Sequence, residues 1–343
     1  MKHSFQNAEQ DTRSRKKKIP KITPSVSENE KADGEKKESK FITPTLLVFS
    51  TYALLLFSKI VDLTLINREN EYYTVVILQL MIFLLPGAIW CKYKGDGYVK
   101  GLRMRLPRPS SFLIMLSATL LMISGGLLLS VLFGGLESLS QNFSLYDTFI
   151  SKSNGTIPSN LYLLIAYAVI PAICEEFIFR GILCREYEKG GVVRAVVFSA
   201  LFFAMLHFNP INILTYLFSG VILALVLYAT RSLFAAIITH LLYNIFGLFG
   251  QRYMNTLYKI TGSEIFFIFI VTFVFLLSAA LFCRQGAKLY KKHLYDGVSS
   301  SYRKPIAKTP EAIRATFLKV IFEPATVLCV IFYIVASIIY LIN

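Results

Sequence analysis

The chain has 343 residues, of which 55% are apolar and 17% charged, with a formal net charge of +15. Its mean hydropathy is positive, which excludes a largely disordered chain and argues against a soluble globular domain of this length. The excess Lys and Arg sit in a tail and a few loops, a pattern set by membrane topology and not by a nucleic-acid partner.

Residues 1–41 are rich in Lys, Ser and Glu, carry the run RSRKKK at 13–18 and hold almost no apolar cluster. They are expected to form a disordered basic cytosolic tail that touches anionic lipid. No apolar core follows the basic run, so a signal peptide is not expected. From 42 onward, apolar stretches approach the ~20 residues needed to cross a hydrocarbon core. Spans are predicted near 45–66, 72–92, 112–136, 160–188, 192–208, 212–229, 232–250, 265–283 and 320–342. The expected fold class is all-α, a polytopic transmembrane helical bundle of about eight or nine spans around an intramembrane catalytic cavity. The chain divides into the tail 1–41, amino-terminal helices and loops at 42–159, a core at 160–250, and carboxy-terminal helices with a basic loop at 251–343.

Loop charge predicts the orientation. The segment 92–108 holds Lys92, Lys94, Lys100, Arg103, Arg105 and Arg108 against Asp96 alone, and 284–319 is similarly basic. The loops near 67–71 and 137–159 carry few basic residues, although Arg252 and Lys259 dissent mildly. The basic loops and the tail then share one side, which the positive-inside rule assigns to the cytosol, and a plasma-membrane protein with a cytosolic amino terminus is expected. Lys59 and Asp62 are expected to pair on one helix face. The glycines Gly125 and Gly126 allow close helix approach, and sequons at Asn142 and Asn154 fall in an outer loop. The 5 cysteines, at 91, 174, 184, 283 and 329, lie in or beside apolar spans without CxxC spacing, so they read as small packing residues.

The informative residues are polar groups inside apolar runs: Glu175, Glu176 and Arg180 in CEEFIFRG, His207 in FFAMLHF, and His240 with Asn244 in THLLYN. An ionisable side chain at such depth costs roughly 2.5 kcal/mol or more, and those that persist face an interior cavity. His3 and His293, by contrast, belong to polar segments. Glu176 and Arg180 are four apart with the acid first, the favourable order for an ion pair on one helix face. Glu175 lies about 100° around the helix and is left to act on something else. Pro171, one turn earlier, is placed to kink the span. Counting from the turn at Gly190–Gly191, Glu175 and His207 both lie roughly 22 Å along their helices. His240 and Asn244 share one face of the seventh span, so all four groups can meet in one layer.

Those parts suit amide hydrolysis. A carboxylate near a histidine can take a proton from water, and a second histidine with an amide can donate to the oxyanion. Glu175, His207 and His240 are also a zinc donor set, so zinc remains open as a cofactor. There is no HExxH motif, and no Ser or Cys sits in a convincing nucleophile context.

The pattern resembles the CPBP family of intramembrane proteases, also called the CAAX-protease and bacteriocin-processing or Abi family. Its motifs EExxxR, FxxxH and HxxxN read here as Glu175-Glu176-x-x-x-Arg180, Phe203-x-x-x-His207 and His240-x-x-x-Asn244. The resemblance covers roughly residues 160–250. It implies a helical membrane fold around a conical cavity, with Glu175 activating water beside His207 while His240 and Asn244 stabilise the oxyanion. Phe203 would shape the cavity. Family members include metalloproteases and metal-independent glutamate proteases, and their substrates are membrane-associated peptides or proteins, prenylated in eukaryotic relatives. Two other classes compete: a non-catalytic scaffold or bacteriocin-immunity protein of the same fold, and a proton-coupled transporter using Glu175, His207 and His240 as a relay. Inverted repeats, expected of many transporters, are not evident.

Overall fold

A computed structural model describes residues 42–61, 76–95, 97–135, 159–295 and 309–342. The tail, Asp62, the side chains of Lys59, Arg252 and His293, both sequons, and residues 296–308 of the second basic segment lie outside the described residues. From Thr43 the chain forms one compact unit. Among the described residues all regular structure is helical, so the all-α expectation holds.

Among the described residues, seven helices are long and apolar enough to cross a membrane: α2 (Val76–Lys94), α3 (Phe112–Gly134, after a short 3-10 turn), α4 (Asn160–Gly190), α6 (Ile213–Thr230), α7 (Leu233–Gly250), α9 (Glu264–Tyr295) and α11 (Pro324–Ile342). The shorter apolar helices α1 (Pro44–Val61) and α5 (Val192–Leu206) occupy the first and fifth expected spans. The chain is a multi-pass membrane protein. Two further helices, α8 (Gln251–Thr261) and α10 (Pro310–Ile321), are amphipathic and precede α9 and α11. They fall largely in segments that the sequence presents as polar connections between spans.

The helix boundaries follow from local chemistry. Ser159 and Ser232 cap α4 and α7 by accepting from Tyr162 N and Ala235 N, each at 3.2 Å. Between α4 and α5 a single residue, Gly191, turns the chain at φ 114°, a conformation only glycine adopts readily. α6 stops at Arg231 in the left-handed region, so α6 and α7 form a tight hairpin. The pair Gly125–Gly126 faces α6, where a Cβ on Gly125 would lie 2.4 Å from the Phe218 ring. Gly220 brings α6 against α5: a Cβ there would stand 2.9 Å from the backbone of Ala200.

One end of the bundle is polar. Glu186 accepts from Tyr98 at 2.8 Å and from Lys189 at 2.7 Å, with Lys94 at 3.7 Å. Glu188 holds Arg103 Nη2 at 2.7 and 2.9 Å and accepts from Tyr228 at 3.2 Å. Burial, then the Glu186 carboxylate, pushes the Tyr98 phenol up, so it remains a protonated donor. Arg194 reaches Thr316 O of α10, and Thr45 Oγ1 lies 2.8 Å from the Tyr187 hydroxyl and donates to Glu323 at 2.7 Å. The basic segment 92–108 and the described part of 309–319 are thus gathered at the same end as the Gly190–Gly191 turn.

The close approach of α5 and α6 carries a test. Gly220→Ala should lower stability by about 1–3 kcal/mol, since backbone and not a flexible tip must yield. A control at Gly247, where an added Cβ meets nothing within 4 Å, should leave the thermal transition in detergent in place. Equal transitions for both variants would mean that the α5–α6 contact is looser than described.

Candidate active site

Helix α4 is irregular where its acids lie. A wide π segment at Ile165–Val169 precedes Pro171, which enters the regular turn Ile170–Glu176 near its start. A second π segment, Phe177–Leu183, follows directly. Pro171 lacks the N–H that an α-turn requires, and such wide turns accommodate the break. Glu175 and Glu176 therefore end a short regular stretch held between two widened ones.

Glu176 and Arg180 form an ion pair at 2.7 Å, both side chains fully buried. The guanidinium also donates from Nη2 to Gly220 O at 3.2 Å and lies over the Phe203 ring with Cζ 4.3 Å from its centroid. This environment offsets desolvation through a short charged hydrogen bond, a carbonyl and a cation–π contact. The bare glycine at 220 lets its carbonyl and α5 share that space.

His240 joins the same carboxylate, with Nδ1 2.9 Å from Glu176 Oε1. A carboxylate paired with arginine accepts, so Nδ1 carries the proton there. The other nitrogen, Nε2, faces Glu175 Oε2 at 4.0 Å. That oxygen is buried and finds no hydrogen-bond partner among the described protein groups. Glu176 takes both the arginine and the histidine, whereas the i, i+4 spacing had predicted the arginine alone.

His207 ends α5. Its Nδ1 lies 2.9 Å from Phe203 O, a carbonyl that can only accept, so this histidine too is anchored through Nδ1–H. Phe208 follows in the left-handed region at φ 48°, costing about 1–2 kcal/mol for a residue with a Cβ, and turns the chain sharply away. Phe203 stands edge-on to His207, with centroids 5.0 Å apart, and to His240, at 5.7 Å. It is a shared wall between the two histidines. On α7, Asn244 Nδ2 donates to Ala168 O at 3.5 Å, reaching the first π segment of α4.

The site has two tiers. Glu176, Arg180, Phe203 and His240 are buried, while Glu175, His207 and Asn244 keep partial access. Sequence reading missed Tyr216, whose ring stacks on His207 with centroids 3.8 Å apart and planes 15° from parallel. It also missed Gly220. Tyr216 and Gly220 are four apart on α6, the only available signal, and an uncharged helix gives no reason to single them out.

Zinc needs about three or four converging donors at bonding distance. His240 Nε2 and Glu175 Oε2 approach one another, but among the described residues no group of three His, Cys, Asp or Glu side chains is gathered as a metal requires. As arranged, these side chains do not fit the proposed zinc set. All 5 cysteines are free, four of them buried and Cys283 exposed.

No curated protein and no solved structure matches the chain. Residues 157–246 match a protein-family model, Rce1-like, described as type II CAAX prenyl endopeptidase Rce1-like. The matched stretch runs from the start of α4 to α7 and contains every residue of the site described above. Over this segment, about a quarter of the chain, the protein is similar to the Rce1-like type II CAAX prenyl endopeptidases, and the three ordered motifs all fall within it.

Proposed function

We propose that the chain is an intramembrane endopeptidase of the CAAX type, hydrolysing a peptide bond of a membrane-associated peptide or protein. One observation carries the reading: the buried Glu175 Oε2 has no hydrogen-bond partner among the described residues and lies 4.0 Å from a histidine nitrogen. A buried carboxylate oxygen left so is costly unless water or substrate engages it. The family description of residues 157–246 supports the same reaction class.

In the proposed reaction Glu175 takes a proton from water, and the hydroxide oxygen bonds to the scissile carbonyl carbon. His207, with Nδ1–H held by Phe203 O, presents Nε2 as an acceptor that orients the water. The imidazolium form of His240 donates through Nδ1 to Glu176 and through Nε2 to the oxyanion, and Asn244 Nδ2 donates beside it. As the intermediate collapses the C–N bond breaks, and Glu175 returns the proton to the departing nitrogen. Glu176 and Arg180 take no proton; they hold His240 in place. No step is routed through a metal.

A prenylated CAAX peptide is the first substrate to test. The basic segments gathered at the Gly190–Gly191 end favour that end as the cytosolic one, and Thr45 at the start of α1 lies there against Tyr187, which favours a cytosolic amino terminus. The plasma membrane is the proposed location.

The decisive experiment is cleavage of a fluorogenic farnesylated CAAX peptide and unprenylated controls by full-length protein in detergent, with and without phenanthroline. Glu175→Gln should abolish cleavage while the thermal transition is retained. Full activity of that variant would overturn the mechanism and favour a scaffold. Loss of activity with chelator would return zinc to the site. Asn244→Ala should slow turnover by about 10² or more if the amide serves the oxyanion.

Arg180→Met separates structure from chemistry. It strands Glu176 in a buried position, and destabilisation of about 3–5 kcal/mol is expected. Thermal unfolding in detergent reads this directly, and a stable but inactive Arg180→Met protein would give the arginine a part in the reaction itself.

A further inference from the structure

The stack of Tyr216 on His207 is the feature that the motifs leave unexplained. His207 sits at the last turn of α5, and the chain turns away at the left-handed Phe208. Beyond its own helix, the ring is held by Tyr216, parallel to it at 3.8 Å, a close approach for two aromatic rings. The Phe203 carbonyl fixes one nitrogen, and the Phe203 ring closes an edge. Tyr216 covers a face.

We propose that Tyr216 is a positioning residue for His207, its ring fixing the plane of the imidazole so that Nε2 is held at one orientation toward the reacting water. The inference rests on the endopeptidase reading given above. The ring carries the effect and the hydroxyl does not. The Phe203 carbonyl anchors one ring nitrogen, and a flat face stacked at van der Waals distance opposes rotation of the imidazole plane about that bond. Small misplacements of a catalytic group cost large factors in rate.

The test compares Tyr216→Phe, which keeps the ring, with Tyr216→Leu and the unbranched Tyr216→Met, in full-length protein in detergent. With the farnesylated peptide, Tyr216→Leu and Tyr216→Met should lower kcat about tenfold or more, with KM nearly unchanged, and Tyr216→Phe should restore it. The second readout does not depend on activity. In the NMR spectrum, His207 ring resonances, assigned with His207→Ala, should lose their aromatic ring-current shift in the Leu and Met variants and keep it in Tyr216→Phe.

Unchanged His207 resonances in Tyr216→Leu would overturn the stack. Parent-like kcat in the Leu and Met variants, or a Phe variant as slow as they are, would overturn the positioning role, the latter in favour of the hydroxyl. If Glu175→Gln cleaves as well as the parent, the protease reading fails, and the NMR arm still decides whether Tyr216 fixes the ring. If Glu175→Gln is inactive and Tyr216→Leu is not slowed, the Tyr216 inference alone falls.

Discussion

The ion pair between Glu176 and Arg180 constrains everything around it, because removing two charges from water costs several kcal/mol per ion. The pair is fully enclosed, so its remaining donors and acceptors demand neighbours, and all but Glu176 Oε2 and Arg180 Nε find one among the described residues. Arg180 requires a carbonyl, and Gly220 supplies one because its missing side chain lets α6 come close. It requires a covered face, and Phe203 supplies it. Glu176 accepts a second donor from His240. In this way one salt bridge ties α4 to α5, α6 and α7, and holds a histidine whose other nitrogen faces Glu175.

The helices depart from regularity where this network needs it. Two π segments flank the turn that holds Glu175 and Glu176, and a left-handed residue follows His207. A uniform α-helix would place successive side chains every 100° and keep its carbonyls to itself. The widened turns displace both, and Ala168 O becomes an acceptor for Asn244. Irregular backbone at membrane depth is tolerated where protein surrounds it or a cavity is lined. The resulting contrast is chemical as well as spatial: a sealed ion pair behind, and partly accessible Glu175, His207 and Asn244 in front.

A separate polar assembly fixes the opposite problem, the ends of the helices. Glu186 and Glu188 at the end of α4 bind Tyr98 and Arg103 of the α2–α3 connection, Lys189 of α4 itself and Tyr228 of α6. Arg103 O and Arg105 O in turn receive Leu233 N and Ser232 Oγ from the α6–α7 turn. These contacts brace the hairpins from which Glu175, His207 and His240 project. The rigid frame lies at one end and the reactive groups lie deeper in the bundle, so the frame needs no part in the chemistry.

The sequence alone determined that the chain is a helical membrane bundle, because apolar runs of spanning length admit no other economical structure, and it located the three polar motifs by their cost in such runs. The short separations between α4, α5, α6 and α7 already implied consecutive hairpins, and the i, i+4 spacing of Glu176 and Arg180 already implied a pair. The amphipathic helices α8 and α10 were not visible as helices because they are too short and mixed in polarity to resemble spans. Tertiary structure decided which partner each polar atom takes. That Glu176 serves His240 as well as Arg180, that Phe203 walls off both histidines, and that Tyr216 lies flat on His207 depend on contacts between helices separated by tens of residues. Spacing along one helix fixes a face, but the geometry across faces is set by how glycines, widened turns and buried charges let the helices approach.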